Sequence, residues 1–173
     1  MSRSRSLFVC RLALALAVLV AGCSAPVERP VDGTDVSVSV TNENATSQEV
    51  RIAVVAGDFD AVELTYRNGS TRRLAVSNVA AIPPAALVGV VDFRVSGTDV
   101  QHTAYRLAPG SGRGAGYTVD GPATVVYAYW PRGGERVTDY GAFGCGPFDT
   151  ELDARIVVGT TGSDSASVTC RSG

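Results

Sequence analysis

Lysine is missing altogether: the 15 basic residues among the 173 are all arginine. That removes the phosphate loop ending in Gly-Lys and any Schiff-base lysine. Histidine occurs once, at His102. One imidazole cannot build a copper electron-transfer site with two histidines, nor a three-histidine or His-Glu-x-x-His zinc site. Charge of one sign is also missing. Against those 15 arginines stand 17 acids, for a formal charge of −2, so no nucleic-acid or other polyanion partner is implied. Long apolar runs are short too. Leu12 to Ala21 (LALALAVLVA) is the main one, well below the ~20 residues of a spanning helix. Hydrophobic residues still make up 45% of the chain, which is the composition of a chain that folds.

What is present begins with a leader. Arg3, Arg5 and Arg11 give a basic start, the apolar run follows, and Gly22-Cys23 closes it. This order describes a secretory signal over residues 1–22. Extending the run back through Leu7 crosses Arg11, which leaves a retained anchor helix as a competing reading. No adjacent Arg-Arg pair lies in the leader, so export in an unfolded state is expected.

Val20-Ala21-Gly22-Cys23 resembles the lipobox of prokaryotic lipoproteins. In that family the cysteine thiol is lipidated and the signal is cut just before it. The resemblance implies that Cys23 carries a lipid and that the membrane is a partner through this anchor. It also implies a cell-membrane location on the extracytoplasmic face. An ordinary signal with a cysteine after Ala-Gly is the alternative. Cleavage would remove three arginines, leaving 12 − 17 = −5 over Cys23 to Gly173. Mild acidity without lysine resembles surface proteins of salt-loving archaea and of other GC-rich prokaryotes. Residues 23–34 (CSAPVERPVDGT) hold two prolines and a glycine and read as the lipidated cysteine plus a flexible tether.

From position 35 to 173 the pattern is that of one β-domain. Val36, Val38 and Val40 alternate with Ser37, Ser39 and Thr41, a period-two strand. Similar runs are Gln48 to Ala56, Ala61 to Arg67, Thr71 to Ser77, Leu87 to Val95 and Gln101 to Leu107. Further along come Pro122 to Trp130, Arg136 to Tyr140, Glu151 to Val158 and Ser165 to Arg171. Asn68-Gly69 between two such runs predicts a two-residue hairpin turn. Roughly 8–10 short strands separated by Gly and Pro argue for an all-β fold, an antiparallel β-sandwich.

Asp139-x-Gly141-x-Phe143-x-Cys145 resembles the Asp-x-Gly-x-Tyr-x-Cys run of immunoglobulin domains. It covers seven residues. Phe143 lacks the hydroxyl of the family's tyrosine, and Cys23 is the one mature cysteine upstream. The resemblance implies an immunoglobulin-like sandwich and carries over no binding site.

If lipid occupies Cys23, Cys145 and Cys170 remain. A cysteine pair in an exported chain reads as a disulfide, closing a loop of about 25 residues and contributing ~3 kcal/mol. Free thiols or a metal pair are the alternatives, though neither a nearby histidine nor a further cysteine completes a tetrahedron.

Other candidate chemistry is sparse. Pro122 to Trp130 (PATVVYAYW) is apolar on both faces, with Val125, Tyr127 and Tyr129 on one side and Val126, Ala128 and Trp130 on the other. It reads as a strand buried on both sides. The competing reading has Tyr127, Tyr129 and Trp130 open and stacking on a sugar or peptide, which would make a glycan or protein the partner. Val79 to Leu87 (VAAIPPAAL) reads either as a cover over a sheet edge or as an exposed partner patch. Gly110-x-Gly112-x-Gly114-x-Gly116 lacks a following helix start, so it is a flexible loop and not a phosphate cradle, with Arg113 at its tip. Asp58, Asp60 and Glu63, and again Asp149, Glu151 and Asp153, lack the spacing of a calcium loop. Asn44-Ala45-Thr46 and Asn68-Gly69-Ser70 are sequons, which makes Asn44 and Asn68 candidate glycosylation sites. A Ser-His-Asp triad would need His102, with Ser96 and Asp99 near it in sequence, yet no Gly-x-Ser-x-Gly elbow exists.

These readings assign no catalytic residue, no metal and no cofactor. They point to a lipid-anchored, non-catalytic binding, structural or accessory module at the cell surface. A small secreted hydrolase, or an inhibitor or accessory subunit docking on a partner protein, is the alternative.

Overall fold

The computed structural model describes residues 33–159 and 164–173; the leader, Cys23 and most of the tether lie outside them. Eleven strands are formed among the described residues: β1 (Thr34–Asn42), β2 (Gln48–Ala56), β3 (Phe59–Tyr66), β4 (Thr71–Leu74), β5 (Val90–Gly97), β6 (Val100–Leu107), β7 (Gly112–Val119), β8 (Ala123–Pro131), β9 (Asp139–Gly144), β10 (Asp149–Val158) and β11 (Ser165–Ser172). Two short 3-10 turns, Val79–Ala81 and Pro84–Leu87, interrupt them. The fold is all-β and of sandwich type.

The strands form three sheets, ordered β11-β10-β1-β7, β6-β2-β8-β9 and β4-β3-β5. We call them the front, middle and back sheets. Pairing is antiparallel except that β1 runs parallel to β10. That exception lets the first strand join a sheet whose other members come from the second half of the chain.

The middle sheet serves two cores. Its β2 residues Val50, Ile52 and Val54 and its β8 residues Val125, Tyr127 and Tyr129 pack with Val36, Val38 and Val40 of β1 and with Leu152, Ala154 and Ile156 of β10. On its other face Ala53, Val55, Val126, Ala128 and Trp130 pack with Phe59, Val62 and Leu64 of β3 and with Val90, Phe93 and Val95 of β5. The strand that is apolar on both faces is therefore central and covered on both, as a strand with no wet side has to be. Each core buries a band of large side chains, worth about 1.5–3 kcal/mol apiece.

Val79, Ile82, Ala86 and Leu87 are buried in the back core, so Val79 to Leu87 is a cover. Asn78 caps the first 3-10 turn by accepting from Ala80 N at 2.9 Å. Tyr66 Oη donates to Ala86 O at 3.0 Å and ties the cover to β3. Pro83 and Pro84 suit this path because the segment belongs to no ladder that would miss their absent N–H groups.

Four details correct the sequence reading. The glycine-rich stretch is not a loop: Gly112 to Val119 is strand β7, paired with β1 from Thr41↔Gly112 to Thr34↔Val119. Glycine disfavours strands, but β1 supplies a complete ladder, and the gaps fall on the outer face opposite Ser37, Ser39 and Thr41. The strand expected over Arg136 to Tyr140 lies later, at Asp139–Gly144, because pairing with β8 runs from Tyr129↔Asp139 to Thr124↔Gly144. The Asn68-Gly69 hairpin is also wider than two residues. Gly69 has φ 82°, and Tyr66 N bonds to Ser70 O across the turn. Asn68 stays out of the left-handed region and accepts from Ser70 N at 3.0 Å and Ser70 Oγ at 2.7 Å. Thr34, expected to close the tether, instead opens β1 and donates from Oγ1 to Gly121 O at 2.8 Å.

Candidate functional site

The rings of Tyr127, Tyr129 and Trp130 are buried, at 6%, 1% and 3% exposure. This replaces the stacking reading. Each ring belongs to a core, because β8 has a sheet on both sides. Tyr127 lies over Gly141, its cross-strand partner. A Cβ on Gly141 would meet Cε1 of that ring at 2.5 Å and its oxygen at 2.7 Å. The glycine of the Asp-x-Gly run is thus where the phenol fits. Phe143 stacks on the same ring at 5.5 Å between centroids. The Tyr127 hydroxyl donates to Asp139 Oδ2 at 3.2 Å, with Tyr129 at 3.5 Å. Burial, and then the Asp139 charge, push both phenols well above their ordinary pKa, so they stay protonated as donors.

Cys145 and Cys170 form the disulfide, with Cα atoms 5.8 Å apart. It joins the end of β9 in the middle sheet to β11 in the front sheet. The bond therefore clamps two sheets together and does more than secure the last strand. With both sulfurs in the bond, neither offers a thiolate to a metal.

The site where charge collects is at the seam between the middle and back sheets. Glu49 and Arg51 stand on the β2 face that turns toward the back sheet, beyond the apolar pair Ala53 and Val55. Edge strand β5 brings Asp92 and Arg94 to the same place. Arg51 Nε donates to Asp92 Oδ1 at 2.6 Å, and Arg94 Nε to Asp92 Oδ2 at 3.0 Å. Glu49 takes Arg51 at 3.5 Å and Arg106 at 3.1 Å. The Arg51 guanidinium also sits 5.3 Å from the Trp130 ring centroid, a cation–π distance. Burial alone would raise the Asp92 pKa. The hydrogen bonds from Arg51 and then Arg94 outweigh it, and the carboxyl titrates below its ordinary value. Three guanidiniums against two carboxylates leave 3 − 2 = +1 here.

Beside this network lies a cleft of about 260 Å³, lined by Arg51, Asp92, Phe93, Arg94, His102 and Thr103 among others. His102 Nε2 is 3.2 Å from Val95 N and 3.0 Å from Val95 O. One tautomer accepts from the first and the other donates to the second. In either, the imidazole ties β6 of the middle sheet to β5 of the back sheet. Among the described residues no serine hydroxyl hydrogen-bonds His102. Ser96 lies on β5, and Asp99 occupies an exposed turn with φ 45°. The arrangement holds paired charge in place across the seam of the two sheets.

Sequence reasoning missed this network. Its signal was Glu49 and Arg51 alternating with valine and isoleucine on a strand otherwise apolar on both faces. Elsewhere, Asn68 is exposed, whereas Asn44 is half-buried and its amide donates to Gly159 O at 3.0 Å. Glu151 and Asp153 are exposed on β10, opposite Arg171 and Thr169, and Glu151 takes an ion pair from Arg171 at 3.1 Å. Asp60 likewise pairs with Arg73 at 3.3 Å. Among the described residues no helix is long and apolar enough to cross a membrane.

No protein-family model matches the chain. No curated protein matches it at a significant level. Three solved structures that share part of its path are toxins. The human-specific toxin intermedilysin has a TM-score of 0.31 and 7% identity, over 80% of this chain and 23% of that one. A structure described as a trapped toxin has a TM-score of 0.31 and 12% identity, over 78% and 23%. A Gram-negative toxin has 0.25 and 12%, over 79% and 23%. The chain spans 23% of the length of each, and likenesses this slight carry no argument about its function.

Proposed function

We propose that this chain is a lipid-anchored extracytoplasmic β-sandwich that works without catalysis, as a binding, structural or accessory module at the cell surface. The observation that carries the reading is the Cys145–Cys170 disulfide, because such bonds persist in oxidising compartments outside the cytosol. The leader ending in Val20-Ala21-Gly22-Cys23 supplies the anchor, and its lipid partner is the membrane itself. Two acyl chains or more are needed for stable attachment, at ~0.8 kcal/mol per buried CH₂. The partner on the outer side is a protein or a glycan, met by the strands' wet faces or by the charged seam around Asp92.

The test is intact-protein mass and fractionation of the full chain made in a lipoprotein-processing prokaryote. The expected product starts at Cys23, carries acyl mass and stays with the membrane, and Cys23→Ser removes the acyl mass. An unacylated product with residues 1–22 attached, recovered from the cytosol, overturns the reading.

One observation favours a second reading, a small hydrolase: His102 and Asp92 line one cleft. Their partners weigh against it, since the imidazole is committed to the Val95 backbone and Asp92 to two arginines.

A further inference from the structure

Each of the three sheets ends in two edge strands, and five of the six edges are occupied or guarded. Gln101 Nε2 of β6 bonds to Thr118 O on β7 at 3.0 Å, and Tyr117 Oη of β7 to Thr103 Oγ1 of β6 at 2.7 Å. These contacts close β6 and β7 over one another at the open side of the front core. His102 meets β5 at Val95. The 3-10 turn at Val79–Ala81 packs beside β9. Strand β4 is only four residues long and carries Arg72 and Arg73. Short, charged or covered edges are how sheets avoid pairing with other chains.

Among the described residues, nothing guards edge strand β11 in these ways. Seven of its eight residues are exposed. It contains neither proline nor lysine, and its single charge is Arg171. Its ladder with β10 is regular from Glu151↔Arg171 to Val157↔Ser165. Val168, at its middle, is one of the few large apolar side chains left open, at 36% exposure. The disulfide leaves from Cys170 toward β9, not along the edge.

We infer that β11 is the interface of a two-fold dimer, in which it pairs antiparallel with β11 of a second copy. A second copy fits because the strand is self-complementary. Side-chain rows stay on matching faces only in a register where one residue meets itself. Centred on Val168, that register sets Ser167 opposite Thr169, Ala166 opposite Cys170 and Ser165 opposite Arg171. Two valines meet at the dyad, no like charges face each other, and each Arg171 lies next to the other copy's Asp164. The front sheets then fuse into one of 4 + 4 = 8 strands. The interface is isologous and closed, so it ends at the dimer. A single ladder is at the low end of interface size, below ~1,200 Å², so dissociation is expected on the order of 10–100 µM.

The test is sedimentation velocity of the full chain, from about 1 µM to about 500 µM to bracket that constant, with hydrogen exchange over the same range. The expected result is a concentration-dependent dimer, with β11 amides exchanging at least tenfold more slowly in it and β7 amides unchanged. Val168→Lys sets two ammonium groups face to face and is expected to weaken the dimer at least tenfold. Val91→Lys, at the other exposed valine of a strand, is expected to leave it unchanged. An intact disulfide and an unaltered circular dichroism spectrum check that both variants fold. A monomer at every concentration overturns the inference, as does equal weakening by both substitutions. Protection of β11 that appears only when another protein is added also overturns it, in favour of an unlike partner strand.

Discussion

The two cores share the middle sheet but are closed by different means. The front core is sealed covalently, by the Cys145–Cys170 bond between sheets, and two of its buried side chains are phenols aimed at Asp139. Among the described residues the back core has no covalent seal. It is plugged by the Val79 to Leu87 cover, and its rim is an ion-pair network stacked on Trp130. β8 feeds both, so the same strand is held from one side by a bond independent of pH and from the other by charges that depend on it. The front core is therefore expected to respond to redox conditions and the back core to acid.

The sharpest break of this comparison is Trp130→Ala. It opens a cavity in the back core just beneath its rim and takes the aromatic face from Arg51. A loss of about 3–5 kcal/mol is expected, read from denaturant unfolding. If the cores are coupled only through β8, the disulfide stays formed in the variant, which mass before and after reduction will show. Reduction of Cys145–Cys170 is the next largest effect. Opening a loop of sequence separation 25 is expected to cost ~3 kcal/mol and to loosen β11 and β9 first by hydrogen exchange. Protection of the β3 and β5 amides is expected to survive.

The smallest effect separates the cores by pH. Asp92 titrates below its ordinary value of 3.8 in the fold, so its stabilisation is complete above the unfolded value and is lost as pH falls through the folded one. Asp92→Asn is expected to cost about 1 kcal/mol at pH 7, as a partly buried charge-assisted pair does. It should also flatten stability against pH below about 4. An unchanged acid profile, measured by urea midpoints between pH 2 and pH 7, would remove Asp92 from the account. The phenols act in the opposite sense. Their raised values mean the folded state keeps protons that the unfolded chain releases, so stability falls as pH rises above about 10.

Much of the fold was legible in particular residues. Val36 to Thr41 alternates, and it is a strand with valine inside. Pro122 to Trp130 is apolar on both sides, and both sides are covered. Cys145 and Cys170 were paired by elimination and compartment. The same local logic failed at Gly112 to Val119, because a run of alternating glycines has no pattern of its own and becomes a strand only when β1 lies beside it. It failed at Asp92 too, whose meaning depends on Arg51, 41 positions away.

By itself, then, the chain determined the kind of structure: period-two alternation makes strands, Gly and Pro part them, and Cys145 and Cys170 find each other. Tertiary packing decided the rest. Which sheet each strand joins, that β1 lies parallel to β10, that a third sheet covers the second face of β8, and which charges meet at the seam all depend on contacts between distant residues. Alternation says that a side chain is buried, but the force that buries it has no direction, so the choice of partner belongs to the assembled layers.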